Sequence, residues 1–219
     1  TPGIRRAASA DAASPRDPSV LAEQVAATAW KIALPFRTAP SAVGGSFPQI
    51  VEVLPSATAA PGNDWIAEGV ILYAVNGDWV RDEAAISALL GAGQTFDGSP
   101  SALATARIKH SEAGPFEDVT LAAPVVRDVT LTNGVRARAM SDGRLWRTVV
   151  HAVPAGMEGG LAAGDILLSE AGTATVIDGP GSLESLVAAL ARTGTPVARF
   201  IVERDGAVAE AAMPLTRSR

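Results

Sequence analysis

The sequence predicts an α+β fold, mainly β, made of two small modules in tandem. Each would be a small curved antiparallel sheet or partial barrel capped by one main helix. Three observations carry this expectation. Trp65-Ile66-Ala67-Glu68-Gly69-Val70-Ile71-Leu72-Tyr73-Ala74-Val75-Asn76-Gly77 lines up with Gly160-Leu161-Ala162-Ala163-Gly164-Asp165-Ile166-Leu167-Leu168-Ser169-Glu170-Ala171-Gly172, about 95 residues on. After each copy comes one apolar-patterned helix and then a pair of strands. Strand-like segments outnumber helical ones. A spacing of that size is too long for a solenoid repeat and suits a small complete domain. The 219 residues therefore divide into a flexible linker over 1–18, a first module over 19–126 and a second over 127–219.

The opening stretch TPGIRRAASADAASPRDP is small, polar and rich in Ala, Ser and Pro, too poor in apolar surface to offset the entropy of ordering it. From Ser19, the expected N-cap, Val20, Leu21 and Val25 suggest a short helix or lead-in. Ala29 to Phe36 is the expected entry strand, then a small loop over Ser41 to Ser46 and a strand from Phe47 to Leu54. Val70 to Val75 is the expected buried strand, closed at Asn76-Gly77, a pair suited to positive φ. Asp82 is the expected cap of a helix that places Ala85, Ile86, Leu89 and Leu90 on one face. Strands over Ala102 to Lys109 and Asp118 to Ala123 complete the first module. The second runs through Val135 to Met140, Leu145 to Val153 and Asp165 to Glu170. Its helix is capped at Ser182, with Leu183, Leu186, Val187 and Leu190 facing the core. A hairpin about Arg204-Asp205-Gly206 ends it.

Composition narrows the function. A net charge of −5 and a pI near 5.1 argue against a nucleic-acid surface, which needs clustered Lys and Arg. There are no cysteines, which removes disulfides and thiolate metal sites. No apolar run is long enough to span a membrane. The chain starts at Thr1 without methionine, which suggests a cleaved or truncated product whose export signal or anchor would lie upstream.

The order of elements resembles a tandem pair of bacterial PDZ domains. The likeness rests on Val153-Pro154-Ala155-Gly156, Gly160 to Leu168, the helix from Ser182 and the turn at Asp205-Gly206. In the first copy it rests on Val53-Leu54-Pro55-Ser56-Ala57, Ile66 to Leu72 and Ala74-Val75-Asn76-Gly77. It covers about residues 30 to 217. Two departures stand out: Val70 where the family has Asp, and Glu170-Ala171-Gly172 where it has Val-Asn-Gly.

The resemblance implies recognition of extended or C-terminal segments of partner proteins, added as a strand to a sheet edge beside the helix. A glycine-rich loop would hold the terminal carboxylate. Carried over by position, the first site comprises Gly44, Gly45, Ser46 and Phe47, the edge strand Pro48, Gln49, Ile50 and Val51, and a wall of Ile86 and Leu89. The second comprises the loop Asp142, Gly143, Arg144 and Leu145, the strand Trp146, Arg147, Thr148 and Val149, and a wall of Leu183, Leu186 and Val187. An exported, periplasmic setting goes with this likeness, as does a fused or partner serine protease.

Catalytic residues are therefore sought and not found in a recognisable context. The two histidines, His110 and His151, sit inside apparent strands. No Gly-x-Ser-x-Gly elbow occurs, and Ser46, Ser99 and Ser182 lack a base placed by sequence. Lys31 and Lys109, the only lysines, have no Ser–Lys context. Two isolated histidines without cysteine make no zinc site. The expectation is a non-enzymatic binding protein without cofactor or metal. The alternatives are a regulatory region of an exported serine protease and a structural module with closed grooves.

Overall fold

The computed structural model describes residues 18–42, 46–56, 62–92, 94, 99–141 and 145–216. The fold is mainly β: one large antiparallel sheet with few helices. The elements, in order, are α1 (Pro18–Gln24), β1 (Val25–Ile32), β2 (Phe36–Pro40), β3 (Pro48–Val53), β4 (Ile71–Val75), β5 (Asp78–Trp79), α2 (Glu83–Gly91), β6 (Ser101–Lys109) and β7 (Glu117–Leu131). They continue with β8 (Arg136–Ser141), β9 (Trp146–Ala152), β10 (Ile166–Glu170), α3 (Ser182–Arg192), β11 (Val197–Arg204) and β12 (Ala207–Pro214). Along the sheet the strands run β12-β11-β10-β9-β8-β7-β6-β4-β3-β2, with β1 paired to β7 and β5 to β4.

Local chemistry explains most boundaries. Asn76 and Gly77 both take positive φ, 51° and 89°, the pair a tight hairpin turn requires; they fold β5 back onto β4. Asp205 and Gly206 do the same between β11 and β12, at 51° and 77°. Asp82 caps α2 by accepting the Ala85 N–H at 2.7 Å. The alternation of β6 is strict, with Ala102, Ala104, Ala106 and Ile108 buried and the residues between them turned outward. In β4 all five residues are buried.

Several expectations shift. Pro18 opens α1, the helix position where a missing N–H costs nothing, so Ser19 lies inside the helix and is not its cap. The single entry strand expected over Ala29 to Phe36 is two strands: β1 starts at Val25, the chain breaks at Ala33 to Pro35, and β2 begins at Phe36. Ser182 is the first residue of α3, and the cap position belongs to Gly181, which makes no side-chain cap bond. The linker expected over 1–18 lies outside the described residues apart from Pro18.

The largest departure is β7. A strand expected to end near Ala123 runs on to Leu131. Its first part pairs with β6, from Ile108↔Glu117 to Ser101↔Pro124. Its second part is flanked on both sides, by β1 (Ile32↔Val125 to Val25↔Leu131) and by β8 (Val126↔Met140 to Thr130↔Arg136). Two clusters of buried side chains divide along it. One joins Phe36, Ile50, Leu72, Ile86, Leu90, Ile108 and Leu121 up to Val125. The other starts at Val129 and Leu131 and takes in Leu167, Leu183, Leu186, Val187, Phe200 and Met213. The start of the chain packs on the second cluster. α1 lies against α3, and the Gln24 amide binds the main chain of Thr216, donating to its carbonyl at 2.7 Å and accepting its N–H at 3.3 Å.

Candidate functional site

A strand can be added only where a ladder is unfinished. Among the described residues, β2 pairs with β3 and with no other strand. β2 lies beside the first turn of α2: Glu83 Oε1 accepts the Thr38 N–H at 2.6 Å, and Arg37 Nη1 stands 3.4 Å from Glu83 Oε2. Between them and the sheet runs a groove of about 520 Å³ with Ile32, Leu34, Leu54 and Val126 on its apolar side. Lys31, Arg37, Glu83, Ser87 and Arg138 supply its polar lining.

The backbone of this edge is partly blocked. The Thr38 N–H points away from β3 and is taken by Glu83. The next residue of the same parity is Pro40, which has no N–H to give. An incoming strand must displace the Glu83 carboxylate to reach the Thr38 donor, exchanging a charge-assisted bond for a neutral one.

The positions carried over from the sequence fall one strand away from this edge. Pro48 to Val51 belong to β3, which is interior: Gln49 pairs with Ala39 of β2 and with Ile71 of β4, and Ile50 donates to the Val70 carbonyl at 2.8 Å. Gln49 spends its amide on the Gly69 carbonyl at 3.0 Å. Ile50 is buried in the core, while Val51 is exposed on the sheet face. Phe47 stacks on Tyr73 and Trp79, with ring centroids 4.5 and 5.4 Å apart, and Ser46 takes φ 72°. Ile86 is fully buried and offers a ligand nothing; Leu89 is half-buried against the same core. From α2 the residues that reach the groove are Glu83 and Ser87. Gly44 and Gly45 lie outside the described residues.

The second expected groove is filled. β9, which carries Trp146 and Thr148, lies between β8 and β10. β8, the counterpart of β2, carries β7 along its other edge. β7 is locked to α3 by Arg127 Nε, 2.7 Å from Glu184 Oε1, with the Arg127 guanidinium 5.1 Å from the Trp30 ring. Glu184 is buried there. Leu183, Leu186 and Val187 face the core, Thr148 is buried, and Trp146 packs edge-on against Trp30 at 6.2 Å. Leu145 is exposed; Gly143 and Arg144 lie outside the described residues. At the far end of the sheet β12 is met by the Gly159 carbonyl, which accepts the Ala212 N–H at 2.6 Å. A side chain at Gly159 would strike the Ala212 carbonyl, which is why glycine stands there.

The position where the copies differ, Val70 and Asp165, has a structural answer. Asp165 is buried and held by Arg204 Nε at 2.6 Å, Arg204 Nη2 at 2.7 Å and the Ala162 N–H at 2.8 Å. The Arg204 guanidinium, outweighing the effect of burial, holds its carboxyl below the usual range. Val70 is buried in the apolar first cluster.

The candidate catalytic groups scatter. His110 stands 3.4 Å from Glu117 on the surface. Lys109 Nζ lies over the Phe116 ring at 4.5 Å and binds the Glu112 carbonyl. His151 borders a basin on the uncovered face of β1, β7, β8 and β9, where burial and the nearby Arg138 push its imidazole below the ordinary value. Among the described residues, no group of acidic, His or Cys side chains could hold a metal ion and no helix is long and apolar enough to cross a membrane. No known family model matches the chain, and no curated protein matches it at a significant level.

Proposed function

We propose that this chain is a non-catalytic peptide-binding protein built on two PDZ-like units, of which the first takes an extended segment of a partner by strand addition. The observation that carries this reading is the edge of β2: it is outside the ladder, beside α2, and next to a groove with an apolar side. The order of elements in each half and the repeat support the PDZ-like reading. Strand addition requires the Glu83 carboxylate to give way, so the site is selective for segments that supply enough side-chain contact with Leu34 and Leu54 to offset that exchange.

The second unit favours the structural alternative for its own half. Its helix-side groove holds β7 in the position a ligand strand would take, so it serves as a scaffold. An exported setting and a protease attached to or working with this chain belong to the same proposal.

Titration of isotope-labelled protein with extended apolar peptides tests it. Amide shifts are expected at Phe36 to Pro40 and along α2, with β8 and β9 unmoved. No shift at millimolar peptide, or shifts confined to β8 and β9, would overturn it.

A further inference from the structure

The groove beside β2 has a neighbour, the basin on the face of β1, β7, β8 and β9, and Lys31 and Arg138 line both depressions. The basin measures about 480 Å³, and its polar lining is Lys31, Asp128, Thr130, Arg136, Arg138 and His151, with Thr28 at the rim. The chain as a whole is acidic, at −5, yet this face carries three permanent cations and one carboxylate.

That carboxylate organises the cations. Asp128 Oδ1 accepts Arg138 Nε at 2.6 Å, and Oδ2 accepts Lys31 Nζ at 2.7 Å and Arg138 Nη2 at 3.2 Å. Both cations are thus held at the junction of groove and basin with donors to spare. Arg136 is exposed two residues along the same strand face and makes no ion pair among the described residues. The ladder in this protein is antiparallel throughout its named strands, and β2 runs away from Lys31. A strand added antiparallel to β2 therefore enters near Pro40 and passes Phe36 toward Lys31. The residues on the C-terminal side of its apolar part are then delivered onto the basin.

We propose that the basin of Lys31, Arg136 and Arg138 reads acidic side chains placed just C-terminal to the apolar part of the bound segment. The preferred ligand is then an internal stretch of a partner protein, apolar residues first and Asp or Glu next. This rests on the peptide-binding reading above and adds its specificity. Each added ion pair on an open face contributes little, but two or three together give about tenfold in affinity. The advantage fades with salt, because the cations are solvent-exposed.

The test uses peptides acetylated and amidated at their ends, so that no terminal carboxylate takes part. One carries Val and Ile followed by Asp and Glu, a second replaces the acids by Asn and Gln, and a third reverses the order. The first is expected to bind about tenfold tighter than the second at low salt and about twofold tighter in half-molar salt. Arg136→Glu is expected to bring the first peptide's advantage over the second down to about twofold or less at low salt. Equal binding of the first two peptides would overturn this inference and leave the peptide-binding reading standing. Tighter binding of the reversed peptide would overturn the orientation and the inference with it. If none of the three binds, both the inference and the reading beneath it fall.

Discussion

The Glu83 carboxylate accepts the Thr38 N–H at 2.6 Å, so the first turn of α2 supplies to the edge of β2 the kind of acceptor that an added strand would bring. Glu83 is also the first residue of a helix capped by Asp82, where the helix dipole favours negative charge. One carboxylate therefore steadies the helix start and closes the sheet edge.

Replacing Glu83 by Ala separates the two roles. Stability should fall by about 0.5–1 kcal/mol, from the lost charge–dipole and hydrogen-bond contributions. Affinity for an extended apolar peptide should rise about threefold to tenfold, because the Thr38 donor is then unoccupied. Urea unfolding and calorimetric titration of the same variant read both. An unchanged affinity would show that a bound segment does not use this donor.

Groove and core should respond oppositely to substitution. Ser87→Trp places a large side chain in the groove from a half-buried position on α2. It should abolish peptide binding while changing stability by less than about 0.5 kcal/mol. Leu186→Ala, in the second core, should cost about 2–4 kcal/mol with peptide affinity unaltered. Loss of binding in Leu186→Ala under conditions where it is folded would place the site in the wrong half.

Asp128 should make the protein acid-sensitive in a defined window. Its hydrogen bond to Arg138, with further help from Lys31, holds its carboxyl down to about 2 against an ordinary value of 3.8. A depressed carboxyl stabilises the fold above its unfolded value, and that contribution is lost as pH falls from about 4 to about 2. On this partly open face it amounts to about 1–2 kcal/mol. Asp128→Asn should lose that amount at pH 7 and show a shallower decline below pH 4. Parallel pH profiles of the two proteins would refute the assignment.

The ion pair that the half-exposed Arg204 makes with the buried Asp165 predicts a larger effect. Arg204→Ala strands the Asp165 carboxylate with the Ala162 N–H as its remaining bond among the described residues, at a cost of about 3 kcal/mol. Val70→Asp in the first half should be at least as damaging, since its surroundings are apolar. Denaturant midpoints at constant slope would measure both. A cost below about 1 kcal/mol for Arg204→Ala would mean that water reaches Asp165.

Some of this was legible in the residues because its causes are local. Asn76-Gly77 and Asp205-Gly206 turn where positive φ is cheap; Asp82 caps the helix that begins after it; Leu183, Leu186, Val187 and Leu190 share a face because of helical spacing alone. The position of the edge strand was not legible, for a nonlocal reason: Pro48 to Val51, expected at an edge, lie between β2 and β4. The apolar residues of Phe47 to Leu54 mark a strand there, while Phe36 to Pro40 carries no such pattern and was expected as a strand only at Phe36, so nothing along the chain says which strand lies at the rim. Helical periodicity finds the buried face, which holds Ile86, while the residues of α2 that line the groove, Glu83 and Ser87, stand at the border of that face.

By itself, the order of residues determined a mainly β chain, its turns, its helix faces and its acidic balance, since dihedral preference and side-chain period act within a few residues. Tertiary pairing decided the rest. β7 runs on between β1 and β8 and covers the outer edge of β8, while β2 stands at the rim, because hydrogen-bond partners in a sheet are chosen by whole strands competing for one another's edges.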